Sequence, residues 1–399
     1  MVPYPAGSAY FYYPWDTTWA TWYGKLGLPL EQVLLPQPFS AMYHQGVWIP
    51  DCFSADGLKA WPLSAAGREG LRALAADLLA WEEDWEGLGA DSLCRPELDR
   101  MSLAAYLEGE RRLPAEVRHL IDPYCRSCLG ASPEQLSAWA GLYFLMSEFS
   151  PELKPAAFPE GNARLVAALV QRLPQPPRQQ QTVVKVIRQG GGVQLLVWDH
   201  AVGRPYRVGA GVVIVAVGKF AARRLLPPEG GWDPEIFRAF RYSSYVVAAL
   251  CGPLSLTAPG FENWVVGEPA LSDFILCPQE ASPGSPRVMV LFAPQPYPVG
   301  RPALLKASAE TMAEELLRAV ERLFPGTAKE VEEVRLYRFG HAQVVPYPGF
   351  LTFLREKVPA AQGPIILAHS DMEGLPCIEA AIVQGQKAAA QARKLLSSG

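Results

Sequence analysis

The sequence predicts an α/β fold, a conclusion that rests on three observations. Residues 60 to 150 carry apolar side chains at helical spacing. From Val183 onward short alternating strands dominate, broken by glycine and polar turns. Two near-continuous apolar runs, Gly211 to Val217 and Pro364 to Ala368, suit strands buried on both faces, as parallel sheets require.

The helical part comes first. Trp15, Trp19 and Trp22 recur at helical spacing before the Gly27-Leu28-Pro29 break and read as core packing. From Ser64 to about Glu86 the positions Leu71, Leu74, Leu78 and Leu79 define one face of an amphipathic helix. Ser132-Pro133-Glu134 offers an N-cap, a tolerated first-turn proline and early negative charge, so a helix is expected from there to about Ser147. Asn162 is placed to cap a further helix ending near Leu173.

Val183–Arg188, Val193–Asp199 and Arg204–Val208 then read as an antiparallel meander, with Gly190-Gly191-Gly192 at its first turn. A second β-rich block spans about 241 to 298. Ser308 to Phe324 is an amphipathic helix, and 331 to 345 returns to strand. The end of the chain holds the strand 364 to 368, a glycine turn and a helix from about Pro376 to Leu396. No internal repeat is visible.

Composition excludes several classes of function. The 399 residues are 49% hydrophobic, enough for a large core and two domains or one elaborate one. With 36 basic and 40 acidic residues the net charge is −4, which indicates neither a nucleic-acid stripe nor a polybasic membrane patch. A small molecule is the expected partner. The seven cysteines, at 52, 94, 125, 128, 251, 277 and 377, lack the spacing of a disulfide scaffold. Met1 to Phe11 shows no leader pattern and no run of 18 apolar residues occurs, so the expectation is a cytoplasmic protein without a membrane span.

Few local motifs carry chemistry. Gly209-Ala-Gly211 pairs two glycines beside an apolar strand, but the glycines precede the strand. A dinucleotide fingerprint needs strand, glycine turn and helix in that order, so a simple turn is the reading. Cys125-Arg-Ser-Cys128 has no second ligand pair at zinc spacing and reads as two packed thiols, and no metal site is expected. No nucleophile elbow and no phosphate-binding P-loop occurs.

An ordered set of segments says more. Phe158-Pro-Glu-Gly161-Asn162 and its helix are followed by the meander, by Val212 to Gly218, and by Lys219 to Leu226. The chain closes with Leu367-Ala-His-Ser-Asp371 and Cys377-Ile-Glu-Ala-Ala381. In this order they resemble the FAD-dependent amine oxidase superfamily, which includes monoamine and polyamine oxidases, protoporphyrinogen oxidase and phytoene desaturases. Phe339-Gly-His341-Ala-Gln-Val-Val-Pro346-Tyr-Pro348-Gly349 is similar to the late strand-and-turn of a bacterial branch of that group. The likeness runs from about residue 7 onward.

The resemblance implies a discontinuous, Rossmann-like FAD-binding domain, incomplete at its N-terminus, interleaved with an α+β substrate domain. The expected bounds are 155–230 and 358–399 for the FAD-binding part, 1–154 and 231–357 for the substrate part. It implies FAD as cofactor, held by Val184 toward adenine, by Gly218 at the end of the returning strand, by Ser370 or Asp371 at the ribityl or phosphate region, and by Cys377, Ile378 and Glu379 at the flavin ring. Tyr242, Tyr245, Trp264 and Phe274 are the expected substrate pocket, or else sheet core. His341 is the candidate catalytic residue, as a base or in orienting substrate, or else a structural strand histidine.

Departures from the pattern shape the expectation. Ala368-His369-Ser370-Asp371 stands where the family has Ala-Gly-Asp. No lysine lies between Lys219 and Lys306, where the family often places one near flavin N5, and Cys377 stands where an aromatic cage needs tyrosine. The first strand, G-x-G-x-x-G turn, helix and acid-ended second strand find no counterpart in the six residues before Gly7. Two readings follow. One is an oxidoreductase passing hydride from a C–N or C–H bond to flavin, with a companion chain supplying the glycine-rich segment in a hetero-oligomer. The other is a non-catalytic binding or scaffold subunit of the same fold.

Overall fold

The structure is a computed structural model. It describes residues 2–13, 17–28, 35, 39–83, 95–151, 153–158, 161–226, 228, 232–278, 282 and 284–397. In chain order its elements begin with β1 (Phe11–Tyr13), α1 (Thr17–Lys25), β2 (Ser40–His44), β3 (Val47–Pro50), α2 (Ala65–Glu83), α3 (Pro96–Asp99), α4 (Ala115–Leu129), α5 (Ala138–Phe149), β4 (Lys154–Ala156) and α6 (Ala163–Val170). The next are β5 (Gln181–Gln189), β6 (Gly192–Asp199), β7 (Arg204–Ala210), β8 (Val213–Val215), α7 (Lys219–Leu225), α8 (Pro234–Arg238), β9 (Tyr245–Gly252), β10 (Glu262–Val265), β11 (Asp273–Cys277) and β12 (Arg287–Pro294). The last are α9 (Gly300–Lys306), α10 (Ala309–Leu323), β13 (Glu333–Phe339), α11 (Phe350–Lys357), β14 (Ala361–Gln362), β15 (Ile365–Leu367) and α12 (Ile378–Ser397).

A seven-stranded mixed sheet in the order β13-β9-β12-β11-β10-β2-β3 forms the centre of the larger part. Strands β9 and β12 alternate side chains between two covered faces. Val246, Ala248, Leu250, Met289 and Leu291 meet α10 through Met312, Leu316 and Val320. Val247, Ala249, Val290 and Phe292 pack with Phe39 and Phe261 on the other side. Burial on both faces explains why these strands read as unbroken apolar runs. Their heptad-like partner α10 is fixed at its start by Ser308, whose hydroxyl accepts from the Thr311 N–H.

Helices α2, α4 and α5 pack into one core with Trp61, Trp139, Tyr124 and Trp264. The start of α5 differs from expectation. Its cap is Ser137, not Ser132, because the carbonyls of Pro133 and Leu136 are taken by the N–H groups of Ala104 and Leu103. Residues 132–136 are therefore a turn tied to a neighbouring segment rather than a first helical turn. Of the tryptophan stripe, Trp15 and the side chain of Trp19 lie outside the described residues, while Trp22 packs edge-on to Tyr23. Beyond Glu83 the expected end of α2 also lies outside them.

The smaller part holds the predicted meander β5-β6-β7 and a three-stranded sheet β14-β15-β8, with β15 parallel to β8. The run 211–217 was expected to be buried on both faces, and here the structure corrects the reading. Val215 is buried but Ile214 and Val217 are about two-fifths exposed, and among the described residues β8 is paired only on its β15 side. Gly209 and Ala210 end β7, ahead of β8, so they form no strand-to-helix glycine turn. Cys125 and Cys128 are both free thiols on α4. No described helix is long and apolar enough to cross a membrane.

Candidate active site

Strands β8 and β15 run parallel and end side by side, and each feeds a turn that reaches the same place. After β8, Gly218 sits at the N-cap of α7, where an added Cβ would lie 2.6 Å from the Phe220 ring. Lys219 follows, fully buried. Its ammonium donates to the carbonyls of Val217 at 3.2 Å and Ala368 at 3.0 Å, joining the ends of both strands. Burial pulls its pKa down to about 8, against the attraction of Asp371.

After β15 the chain turns at His369 with φ 139° and ψ 154°, a region that glycine adopts freely and other residues rarely do. The family pattern has glycine there. The ring compensates locally: its Nδ1 accepts from the Asp371 N–H at 3.2 Å and lies 3.1 Å from Asp371 Oδ1. The Asp371 carboxylate also accepts from the Lys219 N–H at 2.9 Å and the Tyr242 hydroxyl at 2.5 Å. Burial works to raise its pKa, but His369, then the Tyr242 hydroxyl and the Lys219 N–H, outweigh burial and hold it below the ordinary value. Ser370 lies beside it, partly covered, with its hydroxyl 3.5 Å from His369 Nδ1.

Helix α12 opens next. Cys377, Ile378 and Glu379 stand at its first turn and carry the positive end of the helix; the Cys377 N–H donates to the Leu375 carbonyl and the Ala380 N–H to Cys377 Sγ. Glu379 Oε1 accepts from the Tyr12 N–H at 3.2 Å, which pins β1 against this helix end. Burial pushes up the Cys377 thiol, with Glu379 adding to it, and burial likewise raises Glu379. Tyr143 of α5 is raised by burial and then by Cys377 and Glu379, so it faces the same helix end. The thiol and phenol are therefore protonated at neutral pH, which makes them hydrogen-bonding walls rather than nucleophiles.

Tyr10, Tyr12, Cys128, Tyr143 and Glu148 are partly covered, and burial is the leading cause of each of their upward shifts. The Tyr12 hydroxyl donates to Glu148 Oε1 at 2.5 Å. Behind them lie Glu262 and Asp273, both buried, on the adjacent strands β10 and β11.

The residues expected from the sequence are only partly brought together. Ser370, Asp371 and Tyr242 meet at the strand ends, and Cys377 to Glu379 lie at the α12 start. His341 stacks on Phe220, with ring centroids 4.2 Å apart, and meets Tyr242 edge-on. Burial lowers its pKa, and Arg301, Arg223 and Arg224 lower it further, so the imidazole is neutral at pH 7. Val184 sits at a register irregularity of β5 with its side chain half exposed. Tyr245 bonds Ser127, and Trp264 packs edge-on to Tyr124. Phe274 projects from the opposite side of the sheet, against Trp48 and Phe324, and shares no wall with the others.

Lys219, Tyr12, Tyr143, Glu148, Glu262 and Asp273 were not singled out from the sequence. A signal existed for two of them. An acid within an apolar strand segment, as in Phe261-Glu-Asn-Trp264 and Ser272-Asp-Phe-Ile-Leu276, is an anomaly that burial must explain.

The family model for flavin-containing amine oxidoreductases matches residues 26–393. The chain belongs to that family. A flavin is the cofactor that this membership implies. Among solved structures, putrescine oxidase bound to putrescine superposes with a TM-score of 0.70 at 16% identity, over 96% of this chain and 87% of that one. Cyclohexylamine oxidase from Brevibacterium oxydans IH-35A gives 0.66 at 15% identity, over 98% and 88%. The fatty acid isomerase of P. acnes that produces CLA gives 0.69 at 12%, over 97% and 86%. These likenesses show the amine oxidase fold. A sequence search of curated proteins returned no match.

Proposed function

We propose that the chain is the substrate-binding and flavin-ring-binding part of an FAD-dependent amine oxidoreductase. One observation carries the reading: Tyr12, Tyr143 and Glu148 gather at the first turn of α12, where Cys377, Ile378 and Glu379 stand, through the Tyr12 N–H bond to Glu379 and the Tyr12 hydroxyl bond to Glu148. The residues present fit a flavin on chemical grounds. First-turn N–H groups and the positive helix end suit the electron-rich pyrimidine edge of a reduced flavin. When bound, the flavin supplies the two-electron acceptor for hydride leaving a carbon next to nitrogen.

The protein's own groups do the rest. Tyr143, Tyr12 and the protonated Cys377 line the route, shield it from water and orient substrate. Glu148, with its pKa raised to about 7 by burial against the stabilising Tyr12 and Tyr124 hydroxyls, is placed to hold the proton an ammonium must shed before its carbon can give up hydride. His341, neutral and stacked on Phe220, orients the turn after β13, and Tyr242 links it to Asp371. Ser370 and Asp371 support the ribityl side, Gly218 closes the strand end, and Val184 offers backbone to adenine.

The edge of β8 supports one further element of the reading. Ile214 and Val217 present apolar side chains beside an edge that is unpaired among the described residues. A companion βαβ unit of G-x-G-x-x-G type would pair with that edge and hold the FAD pyrophosphate. The same open edge favours the second reading, a binding subunit without catalysis. Visible absorption after adding FAD, followed by anaerobic addition of cyclohexylamine, separates the two. Bleaching of the flavin bands supports the oxidoreductase; a chain that takes up no FAD, alone or with its companion, sinks it.

A further inference from the structure

Helix α6 is apolar on two faces. Its inner face is accounted for: Leu165 and Ala168 are buried with Phe11, Tyr23 and Phe158, and Ile378 and Ile382 of α12 pack against the same cluster. On the outer side Val166, Leu169 and Val170, with Leu173 just past the helix end, are between 37% and 60% exposed. The Leu173 N–H donates to the Val170 carbonyl, so the chain coils on beyond the last helical residue. Spacing of i, i+3, i+4 and i+7 then puts the four side chains in one stripe about 100° wide, turned away from the core that α6 already fills.

The net charge of −4 averages over an uneven chain. Residues 161–198 hold five basic residues, Arg164, Arg172, Arg178, Lys185 and Arg188, and no acidic one, so the remainder carries −9. Arg172 adjoins the stripe beside Leu173, and Arg178 follows in the proline-rich segment, where residues 171–180 are all exposed. Among the described residues neither of these two arginines forms an ion pair.

An outward apolar stripe bordered by unopposed arginines suits a helix lying in the interface plane of a bilayer, with its apolar side toward the acyl chains and its cations among the headgroups. A second copy of this chain fits less well, because contact along α6 would bring two copies of the same acid-free, basic segment together. We propose that α6 and the segment running on to Arg178 form a peripheral docking surface for a membrane leaflet that carries anionic headgroups. The surface is short and the apolar side chains are four, so the contact is reversible and salt-dependent. The chain lies on the leaflet and does not cross it. The face used is the one turned away from Ile378 and Ile382 of α12, and the inference stands apart from the flavin reading.

The test is flotation of the full chain with vesicles of phosphatidylcholine alone, and of phosphatidylcholine with about one-third phosphatidylglycerol. The expected result is a partition coefficient at least about tenfold higher on the anionic vesicles, which falls by about as much when salt rises from about 0.05 M to about 0.5 M. Val166→Ser with Leu169→Ser and Leu173→Ser, and separately Arg172→Gln with Arg178→Gln, should each lower partition at least about fivefold. All five positions are exposed, so circular dichroism should report an unchanged unfolding midpoint. Leu305→Ser removes a similarly exposed leucine from α9 and should leave partition unchanged. Binding that ignores lipid charge, or that survives both sets of substitutions, overturns the surface. A chain that stays off both kinds of vesicle overturns it too, and if the triple serine variant then loses a dimer seen by sedimentation velocity, the stripe belongs to a second copy.

Discussion

The main-chain N–H of Lys219 donates to the Asp371 carboxylate at 2.9 Å, while the Lys219 ammonium turns the other way, onto the carbonyls of Val217 and Ala368. One residue thus ties together the ends of β8 and β15. Because burial sets its folded pKa at about 8, below the ordinary 10.5, the folded chain sheds this proton while the unfolded chain still holds it. Stability from this group is therefore lowest below pH 8 and rises between 8 and 10.5. Lys219→Met should abolish that rise, a difference of order 2 kcal/mol in urea unfolding compared at pH 8 and pH 10. Parallel curves for the two proteins would show that the ammonium is not buried as described.

Glu148 has the opposite dependence. Its folded pKa of about 7 exceeds the ordinary 4.5, burial being the main cause, so the folded chain holds a proton that the unfolded chain loses. The stability it contributes is present below pH 4.5 and is lost as pH rises through 7. Glu148→Gln keeps an oxygen to accept from Tyr12 and removes the titration. The variant should lose the wild-type decline between pH 5 and 7, a change of about 1–2 kcal/mol read from thermal unfolding across that range.

How far the sequence foretold these features depends on whether they are local. The meander was legible because Gly190-Gly191-Gly192 and the Asp199 turn punctuate strands of regular alternation, and the observed β5, β6 and β7 extend the expected ranges by only a few residues. The span of α10 was legible from its amphipathic spacing, with Ser308 to Phe324 expected and Ala309–Leu323 observed. The start of α5 was not, since Pro133 and Leu136 are drawn off by Leu103 and Ala104, thirty residues away in sequence. Glu262 and Asp273 were visible as acids in apolar strands, but their meeting depends on the β10–β11 register, and Glu148 joins them only through the packing of α5.

His369 adopts a backbone conformation suited to glycine, with its ring capping the Asp371 N–H. Two effects therefore oppose each other, and paired substitutions separate them. His369→Ala keeps the strained backbone and loses the cap, so it should destabilise by about 1–2 kcal/mol. His369→Gly loses the same cap but relieves the strain, and should be the more stable of the two by about 1–2 kcal/mol. Chemical denaturation of both variants measures the difference. If alanine equals glycine, the backbone at 369 is not held at positive φ.

The exposed edge of β8 predicts association. Ile214 and Val217 stand beside N–H and C=O groups that no described strand satisfies on that side, the arrangement that recruits another chain by edge pairing. Sedimentation velocity on the isolated chain should therefore show concentration-dependent self-association, and Ile214→Glu should suppress it by placing a charge on the apolar strip. The substitution projects from an exposed position, so the unfolding midpoint should move by no more than about 0.5 kcal/mol in equivalent stability. A G-x-G-x-x-G companion added to the wild-type chain should compete with self-association, and Ile214→Glu should weaken its capture as well. A chain that stays monomeric at every concentration, and is indifferent to Ile214→Glu, would overturn the association.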